Sequence, residues 1–304
     1  MKTPFSYLTA SQINGKIIIK TEISTVKLRQ YNINRYRTEV NSLKKIMFFD
    51  IDGTLIPEVH GAKVPESTLK ALELARKAGN LLYINTGRPY VNVDDDVRSL
   101  GFDGYVYGCG TMVECEGEQI WYNKLDKELC MKTVELIRSC NAVPMYERKD
   151  CVLFDFTMRR SPVIDRIREN FASQGKNVDH CTEDDDFSFD KFIVVFDEHT
   201  DLERLMRELD KDYYWIDRGP VFAEIVPKPC SKATGIEMVL DHYGMEKSQA
   251  YAIGDSLNDL PMFSAVSTSI SMGNGDKLKP YADYVTDDIS EDGIYNAMKK
   301  FGFF

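Results

Sequence analysis

Three short apolar runs punctuate the chain, and each ends in polar residues. Ile46–Phe49, Leu81–Asn85 and Tyr251–Gly254 are too short for helices and predict buried strands. Between and after them the period becomes helical. Pro65 to Gly79 places Leu69, Leu72 and Ala75 on one side and ends in glycine. Ile236, Val239, Leu240 and Tyr243 repeat that spacing after Lys232. Alternation of this kind predicts an α/β fold, a doubly wound, Rossmann-like parallel sheet with helices on both faces. Sites in such folds lie at the C-terminal ends of the strands.

More than a hundred residues separate the second strand from the helix that Lys232 opens, and they carry their own pattern. Helical stretches follow Asp126 (Cys130, Val134, Ile137), Ser161-Pro162 (Ile164, Ile167, Phe171) and Asp201 (Leu202, Leu205, Met206, Leu209). Strand-like runs lie at Gln119–Tyr122, Val152–Thr157, Lys191–Phe196 and Tyr213–Asp217. The pattern predicts a self-contained α+β unit over residues 114–226, inserted in a core of residues 46–113 and 227–304. Met206, Phe196 and Trp215 read as the apolar interior of the inserted unit.

The polar residues at the strand ends carry the chemistry. Asp50 and Asp52 leave the first strand two residues apart, before Gly53. In extended backbone such side chains share a face. Paired acids suit a nucleophile beside a proton donor, or two ligands of a hard cation; an acidic Asp-Gly turn is the plainer alternative. Thr86-Gly87-Arg88 ends the second strand, and a hydroxyl, a glycine and a cation there suit phosphate oxygens. Ser231-Lys232 sets an ammonium at a helix start, where the dipole also favours anions. Asp255, Asn258 and Asp259 follow the third strand. Taken singly, Thr86 reads as a turn hydroxyl, Lys232 as a solvated lysine, and Asp255 and Asp259 as helix caps. Four clusters, three of them at strand ends, point instead to one site. The runs Asp94–Asp96 and Asp184–Asp186 read as solvated surface, because like charges repel.

In this order the clusters resemble the haloacid dehalogenase superfamily, specifically its Cof-type phosphatases. The first motif is matched by Asp50, Asp52, Gly53 and Thr54, the second by Thr86-Gly87-Arg88, the third by Lys232 and the fourth by Gly254, Asp255, Asn258 and Asp259. Further echoes are Glu224-Ile225, Pro227, Met272-Gly273-Asn274 and Glu291-Asp292-Gly293. The resemblance runs from about Lys45 to the C-terminus. Gly108-Cys109-Gly110-Thr111 departs from it, standing where the family has an Asn-Gly-Ala-like turn.

The resemblance implies a core with an inserted cap and Mg²⁺-dependent hydrolysis of a small phosphate monoester, such as a sugar phosphate. It casts Asp50 as nucleophile and Asp52 as general acid and base. Thr86, Gly87, Lys232 and Asn258 would hold the phosphoryl group. Mg²⁺ would take the Asp50 carboxylate, the Asp52 backbone carbonyl and the Asp255 carboxylate, with Asp259 behind the metal or occasionally on it. A phosphomutase would share Asp50 and Asp52 but return the phosphoryl group to its substrate. A binding module that had lost catalysis would lack one of Asp50, Asp52, Lys232 and Asp255, and all four are present.

Composition narrows the partners. At 304 residues and 43% hydrophobic the chain can build a sizeable core, and no apolar run approaches a membrane span. A net charge of −10 argues against a nucleic-acid partner but not against a small phosphorylated metabolite. Seven cysteines without a Cys-x-x-Cys spacing read as reduced thiols of a cytoplasmic protein. Residues 1–46 hold nine Lys or Arg against two Glu; their +7 leaves −17 for the rest of a chain at −10. They lack the apolar core of a secretory signal, and residues 1–45 read as a basic extension, with one strand-like run at Gly15–Ile19.

Overall fold

The computed structural model describes residues 44–59 and 61–304, together with the backbone of residues 10–13 and 16–19. The chain divides into two compact units, Met1–Lys44 and Lys45–Phe304. In the first, Ala10–Ile13 (β1) pairs antiparallel with Lys16–Ile19 (β2), so the expected strand exists over those four residues and has a partner, while Gly15 lies outside the described residues. Residues 20–43 of the basic segment lie outside the described residues.

The second unit is built on two sheets. The larger contains Ile46–Phe49 (β3), Leu81–Asn85 (β4), Gly104–Tyr107 (β5), Met112–Cys115 (β6) and Glu118–Tyr122 (β7). The smaller contains Val143–Glu147 (β8), Val152–Phe154 (β9), Lys191–Val195 (β10), Tyr213–Asp217 (β11) and Phe222–Pro227 (β12). The chain then returns to the larger sheet with Ala250–Gly254 (β13), Thr268–Ser271 (β14) and Tyr284–Val285 (β15). The large sheet runs β15-β14-β13-β3-β4-β5-β6-β7, parallel through β5 and antiparallel in β6 and β7. The small sheet runs β11-β12-β10-β8-β9 and is antiparallel throughout.

Alternating side chains of β3 serve opposite faces of the large sheet. Met47 and Phe49 pack with helices Glu66–Lys77 (α1) and, at the chain's end, Gly293–Lys300, while Ile46 and Phe48 pack under Lys232–Tyr243 and Leu260–Ala265. The α1 stripe is Thr68, Ala71, Leu72 and Ala75. Leu69, read as part of it, is turned away from that stripe and is 40% exposed. In the inserted region, Lys127–Ser139 (α2), Pro162–Ser173 (α3) and Leu202–Leu209 (α4) are the three expected helices. Leu205 and Leu209 are the buried pair of α4, and Met206, expected in the interior, is 43% exposed one position round the helix. Among the described residues no helix is long and apolar enough to cross a membrane.

Two boundaries move. The run Gln119–Tyr122, read with the insertion, pairs with β6 and is an edge strand of the large sheet. A division between residues 113 and 114 therefore falls inside β6, and the chain leaves the large sheet only after Tyr122. Lys45, read with the extension, belongs to the fold. Its backbone N–H donates to Asn80 Oδ1 (2.9 Å), its carbonyl accepts from Leu81 (2.9 Å), and its ammonium donates to the carbonyls of Phe301 (2.5 Å) and Gly302 (3.0 Å).

These contacts carry a prediction about the start of the folded unit. A chain beginning at Met47 loses the buried side chain of Ile46, about 1.5–3 kcal/mol, and the Lys45 hydrogen bonds, about 1 kcal/mol each. Its melting temperature should lie about 10–15 °C below that of a chain beginning at Lys45. Equal melting temperatures would show that Lys45 and Ile46 contribute nothing to the fold.

Candidate active site

Strands β3, β4 and β13 are neighbours in the parallel sheet, so their C-terminal ends bring three of the four motifs together. Asp50 continues the ladder, its N–H donating to the Ile253 carbonyl (3.1 Å). The chain then turns through Gly53 at φ 77°, where a β-carbon would lie 2.4 Å from Asp255 Oδ2. Glycine is required here on two grounds, backbone conformation and space. Thr54 Oγ1 donates to Asp255 Oδ1 (2.9 Å), and Asn274 Nδ2 donates to the Gly53 carbonyl (2.7 Å), so the Met272-Gly273-Asn274 stretch steadies this turn.

The remaining motif, the third in chain order, arrives on the helix Lys232–Tyr243. Ser231 caps it, accepting from the Thr234 N–H (3.0 Å) while Thr234 Oγ1 accepts from the Ser231 N–H (3.0 Å). Lys232 is 1% exposed, contrary to the solvated alternative, and donates to Asp50 Oδ1 (2.7 Å) and Asp259 Oδ1 (2.5 Å). The other oxygen of Asp259 accepts from the N–H groups of Asp255 (3.0 Å) and Ser256 (3.2 Å). Asp259 is thus an internal strut with both oxygens engaged, and its bond from the Ser256 N–H also closes a capping box on the turn Leu257–Asp259.

Asp52 has different surroundings. Arg88 grips its carboxylate in a two-pronged ion pair, Nε to Oδ2 (2.9 Å) and Nη2 to Oδ1 (2.5 Å). Nη1 of Arg88 turns to Asp94 Oδ2 (2.8 Å). The Arg88 cation, read as suited to phosphate oxygens, is therefore committed to Asp52, and Asp94 is a partner rather than merely a solvated charge. Thr86 Oγ1 is buried and accepts from the Arg88 N–H (3.1 Å). Asn258 is nearly buried, and its Oδ1 accepts from Ser256 Oγ.

Carboxylate oxygens of Asp50, Asp255 and Asp259 lie within 4.8 Å of one another. Burial, reinforced by the charge of Asp259, pushes the Asp50 carboxyl up from 3.8 to about 8, against the pull of Lys232. The same two causes lift Asp255 to about 7, against its hydrogen bond from Thr54. Three carboxyls sharing a dry pocket with one ammonium resist full ionisation, and a divalent cation among them removes that resistance. An all-oxygen donor set fits a hard cation such as Mg²⁺. The Asp52 carboxylate is not part of this group; it belongs to Arg88.

Above Asp50 lies a cavity of about 170 Å³, lined on the core side by Asp50, Asp52, Gly87, Arg88, Ser256 and Asn258. The facing wall comes from the small sheet, with Glu147, Lys191 and Glu224, and from its β11–β12 turn, with Arg218. The sequence marks Glu224 only as a motif echo and does not mark the other three as site residues, although a lysine and a glutamate inside apolar strands are a signal, since buried charges need partners. The atypical Gly108-Cys109-Gly110-Thr111 turn touches this wall. Cys109 takes a left-handed conformation (φ 56°), one that Asn adopts more readily, and its buried Sγ donates to Glu224 Oε1 (3.4 Å).

A family model described as haloacid dehalogenase-like hydrolase matches residues 47–298. YkrA of Bacillus subtilis strain 168, a candidate phosphatase, is 30% identical over 266 residues, which cover 85% of this chain and 98% of YkrA. The HMP-PP phosphatase of Yersinia pseudotuberculosis is 28% identical over 235 residues, 76% of this chain and 84% of its own. Among solved structures, the subclass IIB sugar phosphatase BT4131 superposes with a TM-score of 0.72 at 27% identity, over 86% of this chain and 100% of that one.

The raised carboxyls make stability depend on pH and cation together. Protonated Asp50 and Asp255 contribute stability that is fully present below about pH 4 and lost as pH rises through about 7 and 8. In EDTA the melting temperature should therefore fall over that range. Mg²⁺ should raise it by several degrees near pH 8 and by less near pH 5.5, where it must displace protons. An increment that is absent, or equal at both pH values, would contradict a cation site built from these carboxyls.

Proposed function

We propose that this chain, which belongs to the haloacid dehalogenase-like hydrolases and is a Cof-type phosphatase among them, removes phosphate from a small monoester, such as a sugar phosphate, by way of an aspartyl-phosphate on Asp50. The observation that carries this reading is the contrast between the two aspartates. Asp50 is buried and held by Lys232, whereas Asp52 is half-exposed at the cavity and held by Arg88. Carboxyls kept in such different surroundings suit a division of labour between nucleophile and acid–base.

In this mechanism Asp50 attacks phosphorus as the ester oxygen departs, and Asp52, which enters this step protonated and so released from its ion pair with Arg88, gives that oxygen its proton. Asp52 then takes a proton from water, which attacks the phosphorus of the aspartyl-phosphate and releases inorganic phosphate with Asp50 regenerated. Thr86, the Gly87 backbone, Lys232 and Asn258 bind the phosphoryl oxygens, where charge spreads in the transition state. The carboxylates of Asp50 and Asp255 and the backbone carbonyl of Asp52 would hold Mg²⁺, which would offset the repulsion between carboxylate and phosphate. Asp259 supports that set from behind, its own oxygens being taken by Lys232 and two backbone N–H groups.

The inserted unit serves as the cap and chooses the leaving group. A sugar phosphatase and an HMP-PP phosphatase resemble this chain to similar degrees. Their substrates share only the group that the core residues recognise, so discrimination falls to the facing wall. Seven free thiols support a cytoplasmic location.

Asp50→Asn should abolish phosphate release, by about 10³-fold or more, while the amide oxygen still accepts from Lys232 and the fold persists. Phosphate release from a sugar phosphate, read beside a thermal melt, checks both. A variant that stays folded and hydrolyses the ester at a near-normal rate would overturn the mechanism. An isomerised ester in place of free phosphate from the unaltered enzyme would favour the phosphomutase.

A further inference from the structure

The wall of the cavity opposite Asp50 is a second buried ion network, and no step of the phosphoryl chemistry uses it. Lys191 and Glu147 stand opposite one another in the register of β10 and β8. Glu224 comes from β12 on the other side of β10. The Lys191 ammonium lies 2.5 Å from Glu147 Oε2 and 2.6 Å from Glu224 Oε1, and all three residues are buried. Arg218 Nε stands 4.0 Å from Glu224 Oε2. Asn92 Nδ2 reaches Glu147 Oε1 at 3.5 Å, so the core also touches the network. Burial lifts Glu147 above the ordinary carboxyl range, and Lys191 opposes that rise. Glu224 is lowered, its neighbours Lys191 and Arg218 outweighing burial.

Resting on the phosphatase reading of the same site, we infer that Glu147, Lys191, Glu224 and Arg218 form the leaving-group subsite, which accepts a hydroxyl-bearing group and rejects a second anion. Two features support it. The wall alternates acceptors and donors, and a hydroxyl can donate to a carboxylate and accept from an ammonium or guanidinium at once. Its apolar members are Ile193 and Phe222, enough to cover the C–H face of a small carbon skeleton but not an extended apolar group.

The charge count supplies the exclusion. Beyond the phosphoryl-binding residues, the cavity presents Glu58, Glu147 and Glu224 against Lys191 and Arg218, three carboxylates to two cations. Arg88 does not alter the count, being paired with Asp52. A proton on Glu147 brings the balance only to zero. In either state Lys191 is already engaged by the carboxylate of Glu224 and by the carboxyl group of Glu147. A carboxylate or second phosphate on the leaving group would enter a wall with no surplus positive charge, and like-charge contact in a dry site is costly. Glu147 is the residue that sets this balance.

The test compares kcat/KM for a hexose 6-phosphate, the corresponding aldonic acid 6-phosphate and the hexose 1,6-bisphosphate, at one fixed free Mg²⁺ concentration. The hexose ester, whose leaving group is neutral, should be preferred by about 10- to 100-fold over each ester whose leaving group is anionic. Glu147→Gln keeps the shape and removes a charge, and it should narrow that preference by about tenfold. Anionic esters hydrolysed as well as the hexose ester would overturn the inference and leave the phosphatase reading standing. So would an unchanged preference in a folded Glu147→Gln. If that variant does not fold, the preference of the unaltered enzyme decides alone. Failure to release phosphate from any ester would overturn the phosphatase reading and this inference with it.

Discussion

The Lys232 ammonium, bound to Asp50 and Asp259, is the interaction on which the site depends. It joins residues that lie 182 and 27 positions away in the chain, and it does so almost out of reach of water. Removing one member of a buried charge cluster typically costs about 3–5 kcal/mol, because the remaining charges are left uncompensated. The cluster also dictates small residues around it. A β-carbon on Gly254 would lie 2.4 Å from Asp259 Oδ2, and one on Gly53 an equal distance from Asp255 Oδ2. The motif glycines are spaces left for carboxylates.

Two charge systems of different design meet across the cavity. The core system holds three carboxyls and one lysine, and burial leaves two of those carboxyls raised and ready to exchange a proton for a cation. The facing system holds its lysine between two carboxylates and is close to balanced without any added ion. The first is suited to a phosphoryl group with its metal, the second to a group that brings hydrogen bonds but no charge. Arg88 belongs to neither and fixes Asp52 at the boundary between them.

The strands and the core site were legible in the sequence because their signals are local. Ile46–Phe49, Leu81–Asn85 and Tyr251–Gly254 are uninterrupted apolar runs, and the functional groups follow them directly. The inserted unit was legible as helices and strands but not as a wall. Lys191 and Glu147 are 44 positions apart and become a pair only through antiparallel register, which periodicity does not encode. The same gap misplaced Gln119–Tyr122: a strand's own pattern does not say which sheet it joins. Leu69 and Met206 were misread for a milder reason, since apolar residues at the margin of a helical stripe can face either way. The commitment of Arg88 to Asp52 was hidden because a guanidinium matches a carboxylate as well as a phosphate.

The central claim is that Asp50, and not another acid of the cluster, carries the phosphoryl group. The most direct measurement is rapid acid quenching of the enzyme during turnover of a phosphate ester with Mg²⁺, followed by peptide mass spectrometry. The account predicts an acid-stable, hydroxylamine-sensitive phosphate that fragmentation of the peptide spanning both Asp50 and Asp52 localises to Asp50, forming and decaying at rates compatible with turnover. Turnover with no such adduct, or a phosphate found on Asp52, Asp255 or Asp259 instead, would contradict it.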